Sequence, residues 1–407
     1  MTARFRLLPT CATPRGRRRL AAWLALLAAA AAQADTVTNL NDSGAGSLRD
    51  AVASTAAGGT VDFAPGLTGI VTLASGQIVI DKALTISGPG AQALTVVNGS
   101  GRVFQVAAGG AAVTIAGLRL TGSGLPAGEN GGAIQNVSGA LTLDGLHVVG
   151  SGVSADWRGG GIGGGVHSAW SPQGTSLTVR NSTFSANNAH KAGALFAFQQ
   201  PVTIDNSTLT GNSAADSGGA ISLENSWNGS AIRQSTIVGN GANIGAGIYV
   251  RNSAFLELVN TVVAQNEDLN NGAPFLNDVD HGNNTVGATG SLFSEPNAAD
   301  VVWNSTNTAN LFGVADPLLA GLADNGGGTP TRLPQAGSPL VDAADCVGLT
   351  PDQRGVARPQ GPRCDIGAVE RALAPPPAAV APVPTLSQWA LLLLSLGLGV
   401  AAWRRRA

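Results

Sequence analysis

An 11-residue stretch recurs four times between positions 177 and 266. Residues 177–187 read LTVRNSTFSAN, 202–212 VTIDNSTLTGN, 230–240 SAIRQSTIVGN and 256–266 LELVNTVVAQN. The closing asparagines, Asn187, Asn212, Asn240 and Asn266, fall 25, 28 and 26 residues apart. A period of about 20 to 50 residues marks stacked structural repeats. Within each copy apolar residues alternate with Thr, Ser and other polar ones, the pattern of a strand with one buried face.

A second strand follows in each repeat. The triplets ending in Ile134, Val166, Leu195, Ile221 and Ile248 align, and these apolar residues lie 32, 29, 26 and 27 positions apart. Small residues precede each of them, so the backbone can bend there without a side chain in the way. Earlier strand-like pieces lie at 60–63, 70–73, 78–80, 83–86, 94–97, 103–106 and 113–115, separated mostly by Gly, Pro, Asn or Asp. Strands this short suit a coil that returns to the same place on each turn, with parallel strands about 4.8 Å apart. A length of 407 residues would ordinarily suggest two or three domains, but a coil grows its core in one direction.

Aligned coils make columns. One reads Ala116, Asp144, Arg180, Asp205, Arg233, Val259. Its alternating charges predict a surface ladder of ion pairs, each contributing a few tenths to about 1 kcal/mol. An enzyme reading instead makes Asp144 or Asp205 an acid or calcium ligand and Arg180 or Arg233 a base. A second column, Gly117, Gly145, Asn181, Asn206, Gln234 and Asn260, suits left-handed turns. The column of closing asparagines suits turns and amide stacking from coil to coil.

The two ends differ from this body. Arg15, Arg17, Arg18 and Arg19 precede an apolar run over 20–32, and Ala32, Gln33 and Ala34 form an A-x-A site. Residues 1–34 therefore read as a secretory signal peptide. Removing their six arginines leaves 17 basic against 25 acidic residues, a net −8. Such a chain has no basic face for nucleic acid. Of the three cysteines, Cys11 leaves with the signal, and Cys346 and Cys364 are expected to form a disulfide in an exported protein. At the other end VPTLSQW at 383–389 precedes an apolar run over 390–403 and then Arg404, Arg405 and Arg406. That run is expected to be a transmembrane helix that anchors the chain transiently in the inner membrane, with Trp389 and Trp403 at the interfaces.

The last 25 residues resemble the IPTL-CTERM sorting signal of Gram-negative bacteria. The likeness rests on Pro384, Thr385, Leu386, Trp389, the leucine run and the arginine end, with Val383 in place of the usual Ile. It implies processing by an exosortase-type membrane enzyme. The motif NDSGAGSLR at 41–49 resembles the start of many secreted bacterial β-helix proteins, and Ser47 can cap a short helix there. Residues 60–290 resemble pectate-lyase-like right-handed parallel β-helices in architecture, without a lyase motif to carry over. DQRG at 352–355, Arg358 with Pro359, and DIGAVE at 365–370 resemble the choice-of-anchor Q region. There Arg354 and Arg358 are expected to pair with carboxylates such as Asp365 and Glu370.

The expected fold is all-β: a right-handed parallel β-helix, or solenoid, over 60–314. An N-terminal helical cap at 35–59 and a C-terminal cap at 315–371 close it. A Pro/Ala linker at 372–382 leads to the sorting signal and transmembrane helix at 383–407.

Candidate chemistry sits in the insertions and columns. Asp156, His167 and His190 can serve acid–base work, and Asp205 and Arg233 are the column candidates. Trp157 and Trp170 can stack on sugar rings, beside Lys191 and Glu224. Asp278, Asp280 and Asn283 offer oxygens to a calcium ion, although a polar turn explains the same residues. The functional expectation is an exported cell-surface or matrix protein, non-enzymatic and adhesive or glycan-binding, with extracellular polysaccharide or a surface component as partner. The alternative is a polysaccharide lyase or glycoside hydrolase.

Overall fold

A computed structural model describes residues 35–126, 128–154, 161–172, 174–226, 229–252, 255–270, 276–282, 284–295, 309–346, 348, 350–372 and 388–406. Met1–Arg371 and Ala372–Ala407 form two separate units. In the first, all strand pairings of the coil are parallel, and successive coils build sheets of ten, nine and eight strands with a short fourth sheet of four. This is a parallel β-helix, as the period predicts.

One coil shows how the sequence makes the shape. Ser176–Arg180 lies in the ten-stranded sheet, Thr183–Ser185 in the nine-stranded, Asn188–Lys191 in the short sheet and Leu195–Phe198 in the eight-stranded. Between them the chain turns at Asn181, Ala186, Ala192 and Gln199, all with φ between 51° and 55°. The first of these corners repeats at Gly117, Gly145, Asn206, Gln234 and Asn260, so the second sequence column is a column of left-handed turns. The closing asparagines differ from that expectation. The left-handed residue is the one before each of them, namely Ala186, Gly211, Gly239 and Gln265.

Glycine is required at the third corner for close approach. A Cβ on Gly132 would lie 2.0 Å from the carbonyl oxygen of Gly164, one on Gly164 2.4 Å from that of Gly193, and one on Gly193 2.3 Å from that of Gly219. Inside, strand alternation sends Leu141, Leu177, Val202 and Leu256, and likewise Leu143, Val179, Ile204, Ile232 and Leu258, into a core that is at most 1 % exposed. Burying each such side chain stabilises by about 1.5–3 kcal/mol.

The asparagine side chains turn into this interior and bond along the axis. Asn187 Nδ2 donates to Asn212 Oδ1, Asn212 Nδ2 to Asn240 Oδ1, and Asn240 Nδ2 to Asn266 Oδ1, each at 2.9 Å. Each receiving oxygen also accepts the backbone N–H of the preceding asparagine, at 3.0–3.1 Å. The second Nδ2 hydrogen meets a carbonyl of the preceding coil, Val148, Phe184 and Leu209 in turn. Every polar group of the buried amide is thereby paired.

The N-terminal helix Leu48–Ser54 covers the first coil with Leu48, Ala51 and Val52. Ser47 caps it by accepting from Asp50 N. Arg49 reaches the open strand edge, donating to the carbonyls of Gln77 at 2.8 Å and Gly76 at 2.7 Å while pairing with Asp42.

The region after the coils does more than close the end. Residues 309–371 run back along the flank and cover the outer face of the nine-stranded sheet, where Val238, Val262, Ala264 and Leu292 pack on Leu340, Ala344 and Ile366. Gln353 keys into the threonine column. It donates to Thr183 Oγ1 at 2.8 Å and Thr329 Oγ1 at 2.9 Å and accepts from Thr208 Oγ1 at 2.6 Å. Arg358 pairs with Glu370 at 3.0 Å, both side chains fully buried, whereas Arg354 pairs with Asp352. Cys346 and Cys364 form the disulfide, with Cα atoms 5.2 Å apart.

Among its described residues the second unit holds one helix, Gln388–Arg404. The expectation of a transmembrane helix, and of inner-membrane anchoring by it, is corrected here. Among the described residues no helix is long and apolar enough to cross a membrane. Its 17 residues span about 25 Å against a hydrocarbon core of about 30 Å. Arg404, Arg405 and Arg406 are exposed, while Val383, Pro384, Thr385 and Leu386 lie outside the described residues.

Asn212→Ala should destabilise the coil by about 2–4 kcal/mol, because it strips acceptors from the buried Asn187 amide and main-chain N–H at once. Urea unfolding of the variant measures this, and a loss within about 0.5 kcal/mol of zero, the range of ordinary surface changes, would remove the ladder from the account of stability.

Candidate functional site

The outward column of the eight-stranded sheet carries the densest chemistry. Its register is Val79, Gln105, Gln135, His167, Phe196, Ser222, Tyr249, Asp280. Alternation puts these residues outward because Ile134, Val166, Leu195, Ile221 and Ile248, each one position earlier, point into the core. Gln77 Nε2 donates to Gln105 Oε1 at 2.9 Å, and Gln105 Nε2 to Gln135 Oε1 at 3.0 Å. The rings of His167 and Phe196 stack 5.2 Å apart and 9° from parallel. Burial, and then the charge of Arg102, lowers the pKa of His167 to about 4. It is therefore neutral at ordinary pH.

Beside this column Lys191 Nζ stands 3.5 Å from Glu224 Oε1 and 3.7 Å from Asp216 Oδ2. Burial raises the pKa of Tyr249. Glu224 and Asp280 push the same way, and Arg251 and Lys191 push against it. Trp170 is 53 % exposed and follows the strand Val166–Ala169, its backbone N–H donating to Phe198 O at 2.9 Å. Among the described residues, the buried Nδ1 of His167 and Oγ of Ser222 on this sheet, and Nδ1 of His190 on the neighbouring short sheet, have no hydrogen-bond partner. This face thus combines aromatic rings, charges and unengaged polar atoms.

The sequence candidates do not form one constellation. Asp156 and Trp157 lie outside the described residues. His167 stands on the eight-stranded sheet, His190 on the short sheet, and Asp205 and Arg233 on the ten-stranded sheet. The charge column pairs in twos. Arg180 Nε meets Asp144 at 2.9 Å, and Arg233 grips Asp205 with Nε at 2.8 Å and Nη2 at 3.3 Å. The hydrogen bond to Asp205 raises the pKa of Arg233, the opposite of what a base requires. Sequence reasoning missed Asp216, Ser222, Tyr249 and Arg251. Its own alignment held the signal, since the residue after each aligned apolar one is the outward column, and Tyr249 is the chain's one tyrosine.

Asp278 terminates the asparagine ladder. It is 1 % exposed. Oδ1 accepts from Asn266 Nδ2 at 3.0 Å and Asn266 N at 3.4 Å. Oδ2 accepts from Ser294 N and Oγ, both at 2.7 Å, and from Glu295 N at 3.2 Å. Both oxygens thus face protein donors. Asp280 Oδ1 accepts from Gly282 N, and Asn283 lies outside the described residues. Among the described residues no three His, Cys, Asp or Glu side chains gather as a metal set. Asp278 N donates to Glu295 Oε1 at 2.7 Å. Burial first, and then the Asp278 charge, raises the Glu295 pKa to about 7, with Asp280 adding to it.

The model of the IPTL-CTERM motif matches residues 381–407. That motif implies processing by an exosortase-type system and an exported, cell-surface protein. No curated protein matches the chain. Among solved structures, the crystal structure of pectate lyase Pel9A is similar over 83 % of this chain and 96 % of that one, at 16 % sequence identity and a TM-score of 0.36.

Glu295 has a folded-state pKa above its ordinary value, so its contribution to stability is complete below about pH 4.5 and is lost as pH rises through about 7. Wild type should therefore lose stability relative to Glu295→Gln between pH 5 and pH 8. Paired melting curves across that range test this, and a constant difference between the two proteins would reject it.

Proposed function

We propose that this exported, surface-sorted protein binds an extracellular glycan along the outward face of its eight-stranded sheet and does not cleave it. One observation carries the reading. The outward column carries His167, stacked on the buried Phe196, and Tyr249, beside Lys191 held between Asp216 and Glu224, and Trp170 is exposed at the end of the strand that bears His167. Aromatic rings offer flat apolar surface to the C–H side of sugars, while amides and charges bond hydroxyl groups. Coils spaced about 4.8 Å apart set these groups in a line that a linear polymer can follow. In this reading residues 1–34 are removed on export, and the region from Val383 to Leu386 is what the exosortase-type enzyme recognises. The resemblance of 315–371 to the choice-of-anchor Q region suits such a chain. Trp170, with Trp157 in the preceding insertion, supplies ring contacts.

Two properties favour binding over turnover. His167 lacks a proton to give at ordinary pH, and Arg233 holds its own more firmly than usual. Most glycoside hydrolases use two carboxyl groups flanking the scissile bond, whereas Asp216 and Glu224 both lean on Lys191. The second reading is a lyase or hydrolase, and the observation in its favour is that same basic group beside two carboxylates.

The purified protein is expected to bind members of a polysaccharide panel, with or without calcium, and to release neither new reducing ends nor unsaturated products. Trp170→Ala should weaken binding about three- to tenfold, the worth of one aromatic contact. Product formation would establish the enzyme reading instead, and a complete lack of binding would end the glycan reading.

A further inference from the structure

A second site lies toward the N-terminal end of the same sheet. A depression of about 320 Å³ is lined by Gln77, Asn98, Ser100, Arg102, Pro126 and Glu129. That volume is at the small end of the range of about 300–1,000 Å³ for small-molecule sites. Its floor is fixed, because Asn98 Nδ2 donates to Arg102 O at 2.7 Å and Asn98 Oδ1 accepts from Ser100 N at 3.1 Å.

Arg102 is the unusual group. The residue is 5 % exposed, and its charge is felt at His167. A guanidinium has five N–H donors in a rigid plane. Here Nη1 donates to Gln77 Oε1 at 2.8 Å, and Nη2 pairs with a single oxygen of Glu129. Nε, on the same edge as Nη2, is buried and has no partner among the described residues. The chain shows elsewhere what that edge takes when filled: Arg233 and Arg354 each place Nε and Nη2 together on one carboxylate. Two parallel N–H to oxygen bonds are the stronger arrangement. At Arg102 the fork is half filled, and its occupant, Glu129, is 48 % exposed on the rim.

We propose that this depression is a carboxylate-binding site in which Arg102 grips both oxygens of a ligand carboxylate along its Nε–Nη2 edge. Glu129 holds the place until the ligand displaces it into solvent. Gln77 orients the guanidinium, and Asn98 and Ser100 form the wall that meets the rest of the ligand. The carboxylate can belong to a free organic acid or to a uronic acid unit of a glycan. This site is independent of the aromatic face.

Titration calorimetry on the purified protein distinguishes these cases with three probes: a glucuronate-containing tetrasaccharide, its carboxyl-reduced counterpart, and succinate. The acidic tetrasaccharide should bind and the reduced one should not bind at this site. Glu129→Gln, which removes the competing charge at an exposed position, should tighten acid binding about threefold or more, and Arg102→Lys, which keeps the charge but not the fork, should weaken it about tenfold. Succinate binding as well as the sugar identifies a free acid as the ligand, and succinate failing identifies a uronate. Either result supports the site. Should Arg102→Lys not fold, Glu129→Gln decides alone. No binding of either acid, or binding that neither variant alters, overturns the proposal. Acidic sugar that binds no more tightly than the reduced one, with both variants without effect, also overturns it while leaving the aromatic face as the glycan site.

Discussion

Every column on this protein depends on successive coils turning at the same places with the same handedness. The left-handed corner at Gly117, Gly145, Asn181, Asn206, Gln234 and Asn260 sets where six successive strands of the nine-stranded sheet begin. One residue of slippage would exchange the inward and outward sets along a strand. The glycines at the third corner enforce the matching approach, since any side chain there would strike the next coil's carbonyl. The asparagine amides then join coil to coil through the interior. Turn, approach and amide bond thus fix one register, and the surface follows from it.

That register was legible because it repeats. The paired triplets at Ile134 through Ile248 and the closing asparagines gave the coil, and the charge column fell into the register Asp144, Arg180, Asp205, Arg233. What the period does not encode was harder to read. Only 12 positions separate Asn266 from Asp278, so the ladder's last member is out of step and looked like a loop of oxygen donors. A sequence shows the carboxylate and hides the N–H groups that surround it. The region after residue 309 lacks the period altogether, so its run along the flank was invisible. For the tail, the flanking tryptophans and arginines suggested a membrane interface, but the 17 residues of Gln388–Arg404 are too few and include Ser395 and two glycines.

The C-terminal segment also decides which surfaces remain for function. It covers the later strands of the nine-stranded sheet, where Gln353 and the Leu340 cluster pack on a threonine column and its neighbours. The ten-stranded sheet presents arginine–aspartate pairs that satisfy one another. The eight-stranded sheet keeps outward groups that are incompletely matched, from the half-filled fork of Arg102 to the buried hydroxyl of Ser222. These lie on the same sheet as the exposed Trp170 and near the half-exposed Glu129, and that combination is the physical ground for looking there.

The asparagine ladder has a direction. Each amide donates toward the C-terminal end, so each coil presents an acceptor to the coil before it and a donor to the one after. Asp278 reverses this, because donors reach it from both sides. A coil duplicated anywhere between Asn187 and Asn266 would find a complementary neighbour above and below. A coil added beyond Asp278 would meet an acceptor where it needs a donor. A coil inserted in the middle would therefore keep the ladder continuous, whereas one appended after Asp278 would break it.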